Sequence, residues 1–140
     1  MLAGLALAAT AACDFITGEA YRTEPALIIF FGDTATIAGP DSVGRGQEFV
    51  VRVKTFGGGC TRETAGADVS VTGSLAVIKP FNRTRNASEC TADLLFLEHS
   101  IRVRFDTAGR VVLRVIAEQR GSSTGGANRP AVLERSLVVR

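Results

Sequence analysis

The stretch Gln47 to Phe56, QEFVVRVKTF, alternates with a period of two. Phe49, Val51, Val53 and Thr55 fall on one side, and Glu48, Val50, Arg52 and Lys54 on the other. A helix, with about 3.6 residues per turn, would smear both sets around its circumference, whereas a strand sends successive side chains to opposite faces. The same rhythm returns twice. SIRVRFD sets Ile101, Val103 and Phe105 against Arg102 and Arg104, and RVVLRVIAE sets Val111, Leu113, Val115 and Ala117 inward. A core follows from the three rows: Phe49, Val51, Val53, Ile101, Val103, Phe105, Leu113 and Val115. A slip of one residue would turn a whole row outward, so the pattern fixes register as well as element type.

The rest of the body has the same texture. ALIIFF (Ala26 to Phe31) reads as a buried strand ending at Gly32-Asp33, with TATIA after it and turn chemistry in GPDSVGRG. ADVSVTG and SLAVIKPF read as a pair of strands meeting at Gly73-Ser74. ADLLFLE suits a strand or one or two helical turns, and AVLERSLVVR closes the chain. The abundance of Val and Gly leans the same way. With 140 residues, 46% of them hydrophobic, the chain is long enough for one domain with a real core. Seven to nine short strands separated by turns predict an all-β fold, an antiparallel β-sandwich over residues 26–140.

DSVGRGQEFVVRVKT resembles the opening of many bacterial immunoglobulin-like domains, and HSIRVRFDTAGRVVLRVIAE resembles their later hairpin. The resemblance implies an Ig-like sandwich. The chain has no Trp and no evident tyrosine corner, which places it outside the antibody superfamily proper. The body is also similar to small Ig-like β-sandwich lipoproteins of Gemmatimonadota-like bacteria.

The N-terminus, MLAGLALAATAAC, supports that comparison. Leu2 to Ala12 is apolar and uncharged, too short to span a bilayer as a helix, and suits the apolar region of a signal peptide. TAAC resembles a bacterial lipobox, which implies that Cys13 is lipidated and begins the mature chain. Thr10 departs from the large aliphatic residue usual at its position, and no charged n-region precedes the apolar run, so the natural start is expected upstream. A signal peptide with an incidental cysteine and a short buried helix are the other readings. Residues 1–13 are thus read as a lipoprotein-type signal peptide and 14–25 as a tether reaching roughly 40 Å when extended. The expected location is exported, lipid-anchored to the bacterial cell envelope, periplasmic or on the outer surface.

TFGGGC (Thr55 to Cys60) runs three glycines into a cysteine. A phosphate-binding loop would need a Lys after the glycines and a following helix, and Thr61 and Arg62 stand there instead. A catalytic thiol would need a base, and the single histidine, His99, lies far along the chain with no motif around it. The third reading is a disulfide. With Cys13 taken by lipid, Cys60 and Cys90 remain as a pair in an oxidising compartment, and the glycines let the loop carry its thiol to the partner. Two free thiols are the alternative for a cytoplasmic protein.

No cofactor or metal is expected, since there is one histidine and no D-x-D-x-D spacing among the turn-associated Asp33, Asp41, Asp68, Asp93 and Asp106. A net charge of +2 does not suggest nucleic-acid binding. The sequons at Asn82 and Asn86 read as chance in a bacterial protein. Arg52, Lys54, Arg102, Arg104 and Arg114 form a candidate basic surface for lipid headgroups or envelope polymers, or else a solvated face that blunts strand edges. QRGSSTGGANRP (Gln119 to Pro130) reads as a loop between the last two strands. The functional expectation is a membrane-anchored module with a binding or structural role in the envelope and no catalysis. The rivals are a small hydrolase using Cys60 or a Ser with His99, and an exported protease-inhibitor-like module.

Overall fold

The computed structural model describes residues 20–28, 37–121 and 125–140, which form ten strands and no helix. The signal-like segment with Cys13, the second half of ALIIFF, and the start of TATIA lie outside these residues. Four strands are short: β1 (Tyr21–Pro25), β2 (Leu27–Ile28), β3 (Ile37–Ala38) and β4 (Ser42–Val43). Six are long: β5 (Glu48–Gly57), β6 (Thr61–Thr72), β7 (Leu75–Arg85), β8 (Leu95–Arg104), β9 (Gly109–Gln119) and β10 (Arg129–Val139). Most strands are therefore longer than their turn spacing suggested. The segment expected to be a tether contributes β1, whose five residues pair antiparallel with Phe81 to Arg85 of β7. ADLLFLE becomes strand from Leu95 onward.

Two antiparallel pairs carry the alternation. β5 lies against β8 from Glu48↔Arg104 to Gly57↔Leu95, and β9 against β10 from Gly109↔Val139 to Gln119↔Arg129. β6 and β7 form a hairpin turning at Gly73-Ser74, with Gly73 at φ +57°, the conformation that a two-residue II′ turn asks of its first residue. All ten strands belong to one curled sheet of mixed direction, so the expected antiparallel arrangement is corrected in three places. β2 runs parallel to β9, β4 parallel to β10, and Leu75 to Ile78 of β7 parallel to Val112 to Val115 of β9. The last pairing follows from chain direction: the chain leaves β7, returns through β8 alongside β5, and enters β9 pointing as β7 does. Alternation specifies faces, not the direction of a neighbour.

One core cluster fills the curl. It includes Phe49, Val51, Val53, Ile101, Val103, Phe105, Leu113 and Val115, all buried as the alternation predicts, with Ile28, Val43, Ala76, Ile78, Val111 and Leu137 among the additions. Arg52, Arg102 and Arg104 face water, while Lys54 and Arg114 are half-buried. Phe105 is wholly enclosed and stacks on Phe49 with ring centroids 6.2 Å apart.

Replacing Phe105 by Ala is expected to cost about 3–5 kcal/mol, from lost transfer energy and the cavity left behind. Arg104→Ala, one residue away but solvent-facing, is expected to cost less than about 0.5 kcal/mol. Urea denaturation of the two variants measures the contrast, and equal small effects would contradict the register.

Candidate functional site

The glycine run closes a tight turn and lets two chain segments touch. Gly58 and Thr61 exchange backbone hydrogen bonds of 2.7 and 3.0 Å around a two-residue turn, Gly59-Cys60, in which Gly59 takes φ +60°. Gly58 has φ +123°, and a Cβ there would sit 2.0 Å from the Asp93 carbonyl oxygen. Only glycine permits both the backbone angle and that approach. The turn thereby presents Cys60 to Cys90. The two are disulfide-bonded, their Cα atoms 5.1 Å apart and 30 positions apart in sequence.

Asp93 makes a second, ionic fastening beside the covalent one. Its carboxylate accepts the Gly59 N–H at 3.0 Å, the Thr91 hydroxyl at 2.7 Å and Arg62 Nη1 at 2.8 and 3.0 Å. Arg62 also donates to Thr91 Oγ1 at 3.1 Å. These donors, Thr91 first, then Arg62 and the Gly59 amide, hold the Asp93 carboxyl well below the usual carboxylate range. Sequence reading placed Asp93 near a turn, which it does cap, but gave no sign of its partners. Arg62 and Thr91 are close to the two cysteines in sequence, and they meet where the disulfide joins the two segments.

Beside this fastening opens a cleft of about 650 Å³, with Leu27, Phe56, Thr91, Asp93, Arg120 and Asn128 on its walls. Leu94, which also lines it, stands exposed, and the exposed Phe96 packs on the lining Phe56 at 5.0 Å with Lys54 Nζ 5.7 Å from its ring centre. The cleft carries hydrophobic wall, hydroxyl and amide groups, and the guanidinium of Arg120. The carboxylate in it, that of Asp93, is already ion-paired.

The five candidate basic residues are not an uncompensated cationic face. Arg52 pairs with Glu98 at 3.6 Å, Arg102 with Glu48 at 3.5 Å, Arg104 with Asp106 at 3.0 Å and Arg114 with Glu134 at 2.6 Å. Strand pairing places Lys54 opposite Glu98 and Arg104 opposite Glu48. Reading one strand at a time sees the cations and misses the acids that the neighbouring strand brings opposite them.

His99 lies in the middle of β8 on the inward face, 3% exposed. Its Nε2 is 3.0 Å from Thr55 Oγ1, and Asn82 Nδ2 donates to Thr55 Oγ1 at 3.4 Å and to the Phe56 carbonyl at 3.2 Å. Having accepted from Asn82, the Thr55 hydroxyl directs its own proton to His99 or to the Leu97 carbonyl, 3.4 Å away. Asn82 Oδ1 and His99 Nδ1 have no hydrogen-bond partner, although the Gly66 backbone lies near enough to favour the protonated ring. Burial outweighs that influence and lowers the His99 pKa. Asn82 itself is 2% exposed, so its sequon is closed to modification in the folded chain. Among the described residues no cluster of His, Cys, Asp and Glu suits a metal.

No known protein family, no curated protein and no solved structure matches this chain.

Two outcomes follow from the fastening and from the buried imidazole. Replacing both Cys60 and Cys90 by Ser is expected to cost about 3–4 kcal/mol, the chain entropy released by opening a loop of this size, read as a lower urea midpoint. Because the folded-state pKa of His99 is depressed, the unfolded chain takes up its proton first. That stability is fully present above about pH 6.5 and is lost as the pH falls toward the folded value. The urea midpoint is expected to drop between pH 8 and pH 5.5, and the drop to vanish in His99→Gln.

Proposed function

We propose that the protein is an exported Ig-like β-module, anchored to the cell envelope through a lipid on Cys13, that works by binding or as a structural part and not by catalysis. The observation that carries this reading is the Cys60–Cys90 disulfide. Such a bond persists in an oxidising compartment, and small exported domains use it to supplement a modest core. The arrangement of the strands adds to it. β3 pairs with β5 while β4, a few residues on, pairs with β10, so the leading segment switches partners between two antiparallel pairs as in Ig-like sandwiches. The parallel β7/β9 pairing departs from the antiparallel pattern of such sandwiches.

Two observations weigh against the rival hydrolase. The Cys60 sulfur is consumed in the disulfide, so there is no thiolate to attack a carbonyl. The His99–Thr55 pair has a base-to-hydroxyl distance, but Thr55 is wholly buried and no substrate reaches it. A second reading, an inhibitor-like module, is favoured by one feature. The segment between β7 and β8 is fastened at Cys90 and Asp93 and then presents Leu94, 62% exposed, as an apolar tip.

Cys13→Ser is expected to abolish metabolic palmitate labelling and release the protein from membranes; labelling that persists would contradict the anchor. The purified protein is expected to show no turnover on ester, peptide and glycan panels. Turnover that disappears in a folded His99→Ala variant would overturn the module reading. Inhibition of a protease in the same panels, lost on Leu94→Asp, would select the second reading.

A further inference from the structure

β6 is the outer strand of the β6/β7 hairpin. In its first half a register shift between Thr64 and Ala67 accompanies Gly66 at φ +88°, and the Gly66 backbone lies beside His99 of β8. Beyond that shift, Asp68 to Thr72 are all exposed. Among the described residues this second half pairs with β7 on one side only. Its free edge is lightly guarded: Ala67 to Thr72, ADVSVT, carries one charge, Asp68, and holds no Lys, Pro or bulge.

Two properties of the edge coincide on the same residues. Val69 and Val71 stand opposite Ile78 and Ala76 and so share their face, the face of the core. Ile78 and Ala76 are wholly buried, yet Val69 and Val71 are 39% and 40% exposed. The hairpin geometry fixes the backbone as well. Thr72 and Leu75 flank a two-residue turn and therefore bond to each other, as do alternate pairs back along the strand. Ala67, Val69 and Val71 are then the residues whose N–H and C=O point off the free edge. An added strand would satisfy these groups and cover the two valines in one step.

The sequence at this edge is self-complementary. We infer that β6 is a homodimerisation edge, where a second copy adds its own β6 antiparallel about a two-fold axis at Ser70. In this register Val69 faces the partner's Val71, Ser70 faces the partner's Ser70, and Asp68 faces the partner's Thr72. The neighbouring register, centred on Val69, would bring the two Asp68 carboxylates onto diagonal positions, where like charges repel. Centring on Ser70 separates them and leaves each Asp68 opposite Lys79 of its own β7. The contact is isologous, so it closes at two copies and does not propagate. Six residues per chain bury less surface than an obligate dimer needs, so the association is weak and reversible.

Sedimentation equilibrium of the chain over a concentration series tests this. The weight-average mass is expected to climb from one chain toward two. Val69→Lys, which puts a charge on the strip, is expected to remove the climb while keeping the thermal transition, and Val132→Lys, at an exposed valine on β10, is expected to leave it unchanged. Register is read separately by Ser70→Cys with Cys13→Ser, so that the new thiol is the free one. Mild oxidation is expected to give a covalent dimer, whereas Ser136→Cys in the same background is expected to give none. A wild-type mass that stays at one chain throughout, or a climb that persists in Val69→Lys, would overturn the inference. A dimer that never crosslinks through position 70 would overturn the register.

Discussion

Between β7 and β9, just before the chain goes on to tie β9 to β5 through Leu27, sits the Ala26 peptide. Its N–H donates to the Pro80 carbonyl and its carbonyl accepts from Glu118 N–H, both at 2.9 Å, while its side chain is fully enclosed. Pro25, just before it, still pairs with Phe81 of β7. Leu27, just after it, lies between Glu118 of β9 and Phe56 of β5. Three residues thus carry the chain from one half of the fold to the other. The passage exists because β7 and β9 stop pairing at Ile78 and Val115. Pro80 has no N–H with which to continue, and its carbonyl goes to Ala26 instead. Without Ala26, the Pro80 carbonyl and the Glu118 amide would lose their partners, and buried polar groups left unpaired cost more than the bonds themselves contribute.

At the end of the molecule where the apolar rows run out, other interactions replace packing. The Phe49–Val53 row passes through Thr55 into glycine, and the segment from Asn86 to Leu94 is almost wholly exposed. Such a segment buries too little to hold itself down, and conformational entropy would release it. A covalent bond and a carboxylate with three kinds of donor hold it there. Since Asp93 and Arg62 are both substantially exposed, water screens their attraction. The disulfide therefore contributes more of the restraint, and the ionic contacts set its geometry. The glycines let the two segments come close enough for either to act.

The parts of the fold legible in the sequence are those that a single strand encodes. Faces, the inward rows, the Gly73-Ser74 turn and the inward placement of His99 all follow from alternation along one segment. Three cysteines, with Cys13 read as lipidated, leave Cys60 and Cys90 as the pair. What the sequence left out depends on which strands become neighbours. Arg102 and Glu48 are 54 positions apart, and nothing local joins them. The parallel pairing left one trace, the apolar run LAVI opposite the largely apolar VLRV. Such runs suit parallel strands, but half-burial of Leu75, Val77 and Val112 blurs the signal into ordinary alternation. Asp93 was invisible as a fastening because its partners belong to two segments brought together by the disulfide.

Alternation leaves one ambiguity that the buried polar groups remove. A slip of one residue exposes a whole apolar row, but a slip of two returns every apolar side chain to the inside. Thr55, Asn82 and His99 extend the inward rows of β5, β7 and β8, so the core is apolar along most of its length and polar at one end. In the observed register Thr55 Oγ1 reaches His99 Nε2, the Leu97 carbonyl and Asn82 Nδ2 at once. Moving β5 by two positions against β8 breaks that set and strands polar atoms in the interior, at about 1–3 kcal/mol for each group left unpaired. Asn82 Oδ1 and His99 Nδ1 already lack partners, so the cluster spends some stability to select one pairing among those the apolar pattern allows. The same cost gives the histidine in the middle of this sheet a structural role: it makes one even-numbered register better than the next.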